Sequence, residues 1–258
     1  MARSQNLFTN VPDASQRRAS TAARIGFALA VACAVAALAS GAGYRLGLWH
    51  FRTGFLILRW AGYVALGAAA LSLLGAVVAR PGTRRGGLVL GLAGVVIGLA
   101  TAGIPWQQWR TVQSLPYIHD ITTDTDHPPA FVAVLPLRKG AENSVEYSGA
   151  AVAEQQKKAY PDLAPALIQA PVAKVFERAE AAARAMGWEI VASAPNEGRI
   201  EATDTTLLYG FKDDVVVRIV AEGDSSRVDV RSVSRVGKSD VGVNAKRIRI
   251  FLSKLSAT

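Results

Sequence analysis

Three nearly unbroken apolar runs fill most of the first 104 positions: Ile25–Gly43, Phe55–Ala79 and Gly86–Ile104. A helix rises 1.5 Å per residue, so about 20 apolar residues cross a hydrocarbon core of about 30 Å. Each run is about that long, and the pattern predicts three transmembrane helices. The pattern then changes: the last 150 or so residues are polar, with apolar positions recurring at strand and helix periods. Pro105, Pro116, Pro128 and Pro129 punctuate the start of this part, which predicts a tether over residues 105–130.

Beyond the tether, Phe131–Leu137 reads as a short strand. Gly149–Tyr160 reads as a helix, with Glu154 and Lys158 at i, i+4 and Pro161 as its stop. A stronger helix follows at Pro171–Met186, with Gly187 as its stop and Val172, Val175, Phe176, Ala179, Ala182, Ala183 and Met186 on one face. Four alternating segments predict strands: Trp188–Ala194, Arg199–Thr205, Val215–Ala221 and Arg227–Ser234. A tight turn at Gly223-Asp224 sets Val217 against Val230 and Ile219 against Val228, with Arg218 opposite Asp229 on the other face. Slipping each strand by one would oppose Arg218 to Arg231, so turn and charges select the same register. Asp240 is the expected N-cap of a final helix, Val241–Leu255, with Val241, Ala245, Ile248, Leu252 and Leu255 inward.

The expected architecture is therefore an α-helical membrane anchor plus a soluble α+β two-layer domain. That domain would have a mainly antiparallel four-stranded sheet and flanking helices. The expected boundaries are a cytoplasmic tail over 1–23, the membrane helices over 24–104, the tether over 105–130 and the α+β domain over 131–258.

Charge sharpens this picture. The chain has 29 Lys and Arg against 20 Asp and Glu, a net charge of +9. Residues 1–110 hold eleven of the arginines and one acid, Asp13. The remainder has 18 cations and 19 acids. The basic excess thus flanks the apolar runs, and the polar part has no electrostatic footprint for nucleic acid. Arg3, Arg17, Arg18, Arg24, Arg80, Arg84 and Arg85 fall on one side of the predicted spans, and Arg45, Arg52 and Arg110 on the other. By the positive-inside rule the N-terminus is cytoplasmic and the C-terminal domain lies outside the cytoplasm. Cleavage of the first run as a signal peptide would leave two spans and the same compartment for the C-terminus. Trp49, Trp60, Trp106 and Trp109 sit near helix ends, as interfacial rings do, and Arg59 is near enough to an end to snorkel. The one cysteine, Cys33, excludes an intramolecular disulfide.

Arg199-Ile-Glu-Ala-Thr-Asp-Thr-Thr206, Gly210-Phe-Lys-Asp-Asp214 and the run from Arg231 to Arg247 form a specific series of phrases. Ile118–Asp126 with Pro128-Pro129 belongs to the same series. Over residues 115–255 the chain resembles the bacterial domain-of-unknown-function family numbered fourteen-ninety-nine. The resemblance implies a bacterial envelope protein and transfers no reaction.

Candidate chemistry is sparse. His119, Asp120, Asp124, Asp126 and His127 are potential metal ligands within nine residues, but they lack the EF-hand glycine and glutamate, and turn-forming roles suit them better. Asp204, Asp213 and Asp214 end two strands expected to pair, and paired carboxylates can run acid–base hydrolysis. Arg231, Arg235 and Arg247 are candidates for an anionic ligand, because guanidinium forks fit carboxylate and phosphate. Lys246, Arg247, Arg249 and Lys254 make the last helix basic. No serine elbow, Cys–His pair, P-loop, dinucleotide fingerprint or zinc spacing is present, and no cofactor is expected. Gly87, Gly91, Gly94 and Gly98 form a small-residue stripe suited to packing against the first two runs, another membrane protein or a second copy. The preferred expectation is a non-enzymatic binding or envelope-associated module, multi-pass in the bacterial inner membrane, with a periplasmic domain. The alternatives are a membrane-anchored hydrolase using Asp204 with Asp213 or Asp214, and a structural subunit of a membrane complex.

Overall fold

The computed structural model describes residues 19–81, 83 and 86–256, and the chain divides into two compact units, Met1–Trp109 and Arg110–Thr258. The arginines at 3, 17, 18, 84 and 85 lie outside the described residues. The first unit consists of α1 (Thr21–Arg45), α2 (Phe51–Val78) and most of α3 (Leu88–Gln113). All three are long and apolar enough to cross a membrane.

The helix ends do not coincide with those of the apolar runs. Ser20 caps α1: its Oγ accepts from the Ala23 amide at 3.1 Å and donates to the Gly75 carbonyl at 3.1 Å. At the other end of α1 the Trp49 indole folds back over Gly43 and donates to the Ser40 carbonyl at 3.0 Å. The α3 helix runs through Pro105 to Gln113, where a tether was expected. Pro105 removes one helical donor, and its ring is tolerated within a long apolar helix.

The glycine stripe is filled from within the chain. A Cβ at Gly91 would meet Ser72 and Ala76 of α2. At Gly94 it would meet Ser72 and Phe27 of α1, and at Gly98 Ala65 and Ala69. Gly87 precedes α3, takes φ +100° and lies against Ala19. Gly91→Leu and Gly94→Leu are each expected to destabilise the helical unit by about 1–3 kcal/mol through overpacking. Thermal unfolding of full-length protein in detergent reads this; unchanged melting for both variants would refute the packing.

The second unit is built on an antiparallel sheet of six strands rather than four. They are β1 (Asp120–Thr122), β2 (Ala166–Ile168), β3 (Glu189–Ala194), β4 (Arg199–Thr205), β5 (Lys212–Glu222) and β6 (Ser225–Ser234). The order is β1-β6-β5-β4-β3, and β2 pairs with the same edge of β6 as β1 but further along it. The two added strands have three residues each, too few to display a period. Burial of Ile118 and Ile121 puts part of the expected tether inside the core. The Gln156 side chain of α4 (Ala150–Ala159) accepts from the Thr122 amide at 3.0 Å and donates to its carbonyl at 2.6 Å. It thereby satisfies the backbone of β1 as a neighbouring strand would.

The β5–β6 hairpin has the register chosen by its turn and charges, with Val217↔Val230, Arg218↔Asp229 and Ile219↔Val228. Gly223 takes φ +60° at the turn, which suits a residue without Cβ. Helices α5 (Val172–Ala185) and α6 (Val243–Ser256) cover one sheet face, where Val175, Phe176, Ile200, Val217, Ile248 and Phe251 are among the core. The last helix starts two residues later than expected. Val241 is exposed at φ +50°, and Phe251 joins Ala245, Ile248 and Leu255 inside. Asp240 still caps it, accepting from the Gly242 and Asn244 amides at 3.2 and 2.7 Å.

Candidate functional site

The sheet face opposite α5 and α6 carries most of the chemistry. Strand alternation aims Glu201 and Thr203 of β4, Asp214, Val216 and Arg218 of β5, and Asp229, Arg231 and Val233 of β6 to that side. Over it lies irregular chain from 123 to about 147, including a short 3-10 turn at Leu135–Arg138. A small apolar cluster, Phe131, Val134, Val216 and Val233, pins this strap. Around that cluster the contacts are ionic.

Asp214 is fully buried. Its carboxylate accepts from Arg138 at 2.6 Å, from Thr203 at 2.7 Å and from Arg235 at 2.8 and 2.9 Å. Burial alone would raise its pKa. Hydrogen bonds from Arg235, Thr203 and Arg138, with the Arg235 charge, outweigh this and hold the carboxyl below the usual range. Glu201 is equally buried and collects the amides of Val132, Ala133 and Val134 at 3.0–3.1 Å, together with Arg199. The expected strand at Phe131–Leu137 does not form because those amides point at this carboxylate instead of at a neighbouring strand. Arg231 forms a bidentate pair with Asp120 at 2.7 and 2.9 Å and donates to the Pro129 and Val145 carbonyls. Its guanidinium also lies 5.3 Å from the Phe131 ring centre and 5.5 Å from that of Tyr147. Burial, with Asp120 nearby, pushes the Tyr147 phenol up to about 12. Toward the far end, Arg218 and Arg227 share Asp124 and Asp229 at 2.8–3.2 Å. Burial opposes ionisation of Asp124. The His127 and Asp126 amides and the two arginines lower its pKa nonetheless.

The sequence-derived candidates are distributed as follows. Asp204 and Asp213 are register partners, and one α6 guanidinium, Arg247, bridges them at 2.7 and 2.6 Å. Asp214 pairs with Thr203 on the opposite face, so the sheet separates it from Asp204. Arg231 and Arg235 lie on the face of Asp214, and Arg247 lies on the other. The three arginines do not converge. Among the potential metal ligands, Asp120 is tied to Arg231, Asp124 to Arg218 and Arg227, and Asp126 to Lys157 at 3.4 Å. The His119 carbonyl accepts from Ser234 and Asn244, while the His127 amide caps Asp124. Among the described residues no three His, Cys, Asp or Glu side chains gather as a metal site. Glu201 and Arg138 join these candidates only in the folded chain, and Asp229, expected only as the register partner of Arg218, also binds Arg227. The charge alternation that sets the β5–β6 register, Asp214 and Arg218 against Asp229 and Arg231, marks this face as ionic, while Glu201 on β4 and Arg138 in the strap carry no such local signal.

The features together define a class: three apolar helices of membrane-spanning length joined to an antiparallel α+β unit with a charged, covered sheet face. Residues 120–255 match the family model described as "Protein of unknown function (DUF1499)", and the chain belongs to that family. No curated protein matches it.

Proposed function

We propose that this protein is a membrane-anchored, non-enzymatic binding module of the bacterial envelope, with its C-terminal unit on the non-cytoplasmic side of the inner membrane. The observation that carries this reading is the commitment of the candidate acids to arginine. Asp204 and Asp213 share Arg247, and Asp214 is held by Arg138 and Arg235. The Asp214 carboxyl, held below the usual range by those hydrogen bonds, is a poor general acid, and Asp204 and Asp213 have their oxygens turned to one guanidinium rather than to a reacting group. A binding role asks instead for a rigid frame with loops at its ends, which the buried pairs supply. Seven arginines against three across the spans favour the outward orientation.

Two measurements test the proposal. A reporter that matures only outside the cytoplasm, fused after Thr258, is expected to be active; activity of a cytoplasm-only reporter instead would overturn the orientation. Native mass spectra of full-length protein in lipid discs are expected to show an adduct of constant mass. Hydrolysis of an envelope lipid or glycan by the purified full-length protein, abolished in Asp213→Asn at unchanged abundance and melting temperature, would favour the hydrolase instead.

A further inference from the structure

The two ends of the sheet differ in kind. One end carries the hairpin tips at Asn196-Glu197 and Glu222-Gly223-Asp224, exposed and acidic. At the other end, β4 and β5 are joined by Thr206–Phe211, whose tip presents Leu207 at 90% and Leu208 at 39% exposure. The loop is built rather than slack. The Thr206 amide donates to the Phe211 carbonyl at 2.9 Å, and the Phe211 amide to the Thr206 hydroxyl at 2.9 Å. The Tyr209 and Phe211 rings stack with centres 5.2 Å apart. Gly210, at φ +69°, lets the chain turn back. Exposed Tyr117 and Val241 flank the same end, tied together where the Asp240 amide donates to the Ile118 carbonyl at 3.0 Å. Lys212 and Lys238 are exposed beside them, and the nearby carboxylates Asp204 and Asp240 are engaged by Arg247 and by the amides of Gly242 and Asn244.

We propose that the Thr206–Phe211 loop inserts Leu207 and Leu208 into the head-group region of the bilayer that holds the apolar helices. Chain connectivity selects this occupant. α3 ends at Gln113 and β1 begins at Asp120, so six residues lead from the third apolar helix into this end of the sheet. At 3.3–3.6 Å per residue they span at most about 20 Å. Trp106, Trp109 and Arg110 precede them, residue types that favour the interface. Apolar side chains at a loop tip with a lysine fringe suit anionic lipid, the apolar part reaching between head groups toward the acyl boundary and the cations meeting phosphate. The proposal depends only on membrane embedding of the helices, not on which side the C-terminal unit faces.

The test uses the full chain in vesicles of neutral and anionic phospholipid. In a Cys33→Ser background, Leu207→Cys carries an environment-sensitive fluorophore, and Asp224→Cys carries the same probe at the opposite end. The expected result is blue-shifted emission at 207, quenched by lipid-borne nitroxide and protected from iodide, with the reverse at 224. The nitroxide quenching is expected to deepen with anionic lipid and to lose that dependence in Lys212→Ala with Lys238→Ala. Iodide quenching at 207 would overturn the proposal. So would protection from both quenchers, since that would mean the loop is covered by protein. Leu207 is so exposed that neither substitution nor label should disturb folding, and an unchanged melting temperature checks this.

Discussion

Asp214→Ala is expected to lower the stability of the C-terminal unit by about 3–5 kcal/mol, because it leaves buried guanidinium groups without their counter-charge. Arg138 keeps only carbonyl partners, from Val233, Ser234 and Asn143, and Arg235 keeps Leu137 and Thr203. For a unit of this size the fall in melting temperature is roughly 6–20 °C. The contrast is Asp126→Ala, which removes a solvent-exposed pair with Lys157 and should move stability by less than about 1 kcal/mol. Equal effects of the two substitutions would show that the buried pairs do not hold the fold. Acidity should separate them further. The carboxyls of Asp214 and Asp124 are held below their ordinary pKa, so they remain ionised in the native state when the unfolded chain begins to take up protons near pH 4. Their stabilisation is complete above that pH and is lost as pH falls through the native values. Asp240 has the opposite sign: burial holds its carboxyl above the ordinary range, so its contribution falls as pH rises through that raised value. Melting temperature against pH should therefore descend steeply below about pH 4 in the parent protein. The descent should be shallower in Asp214→Ala; identical acid limbs would contradict this assignment.

Glu201→Ala should release the strap. Three consecutive amides, those of Val132, Ala133 and Val134, lose their acceptor, and an unsatisfied buried donor costs about 1–3 kcal/mol. The strap can hydrate by lifting off the sheet, so the expected outcome is local opening with a total loss of about 3 kcal/mol or more. Limited proteolysis of the full-length protein should cut between 125 and 147 well before the sheet unfolds. Glu201→Gln should fall in between, because the amide keeps one acceptor oxygen and turns a second donor toward the N–H groups. Cleavage and melting like those of the parent would eliminate the carboxylate as the clasp.

These variants bear on how much could be read without the structure. The β5–β6 register was legible because turn type and cross-strand charge are local and agree: Gly223 sets the turn, and Arg218 faces Asp229. Helix α5 was legible because a 3.6-residue period over 14 residues is a strong signal. By contrast, β1 and β2 have three residues each and pair with β6 only after the chain has folded back. Phe131–Leu137 has strand composition but no strand partner, because its amides are claimed by a glutamate nearly 70 positions away. The aspartates at the strand ends were visible as a cluster. Their division between two faces follows from the side-chain alternation of β5, which sends Asp213 and Asp214 in opposite directions.

By itself the sequence determined the three long apolar helices, the antiparallel hairpin and the family, since run length, period and short phrases are properties of neighbouring residues. Tertiary structure alone decided which charges meet. Arg231 finds Asp120 across 111 positions and Arg138 finds Asp214 across 76. Such partners are selected by the cost of burying an unpaired ion, which arises only once the strap has closed over the sheet.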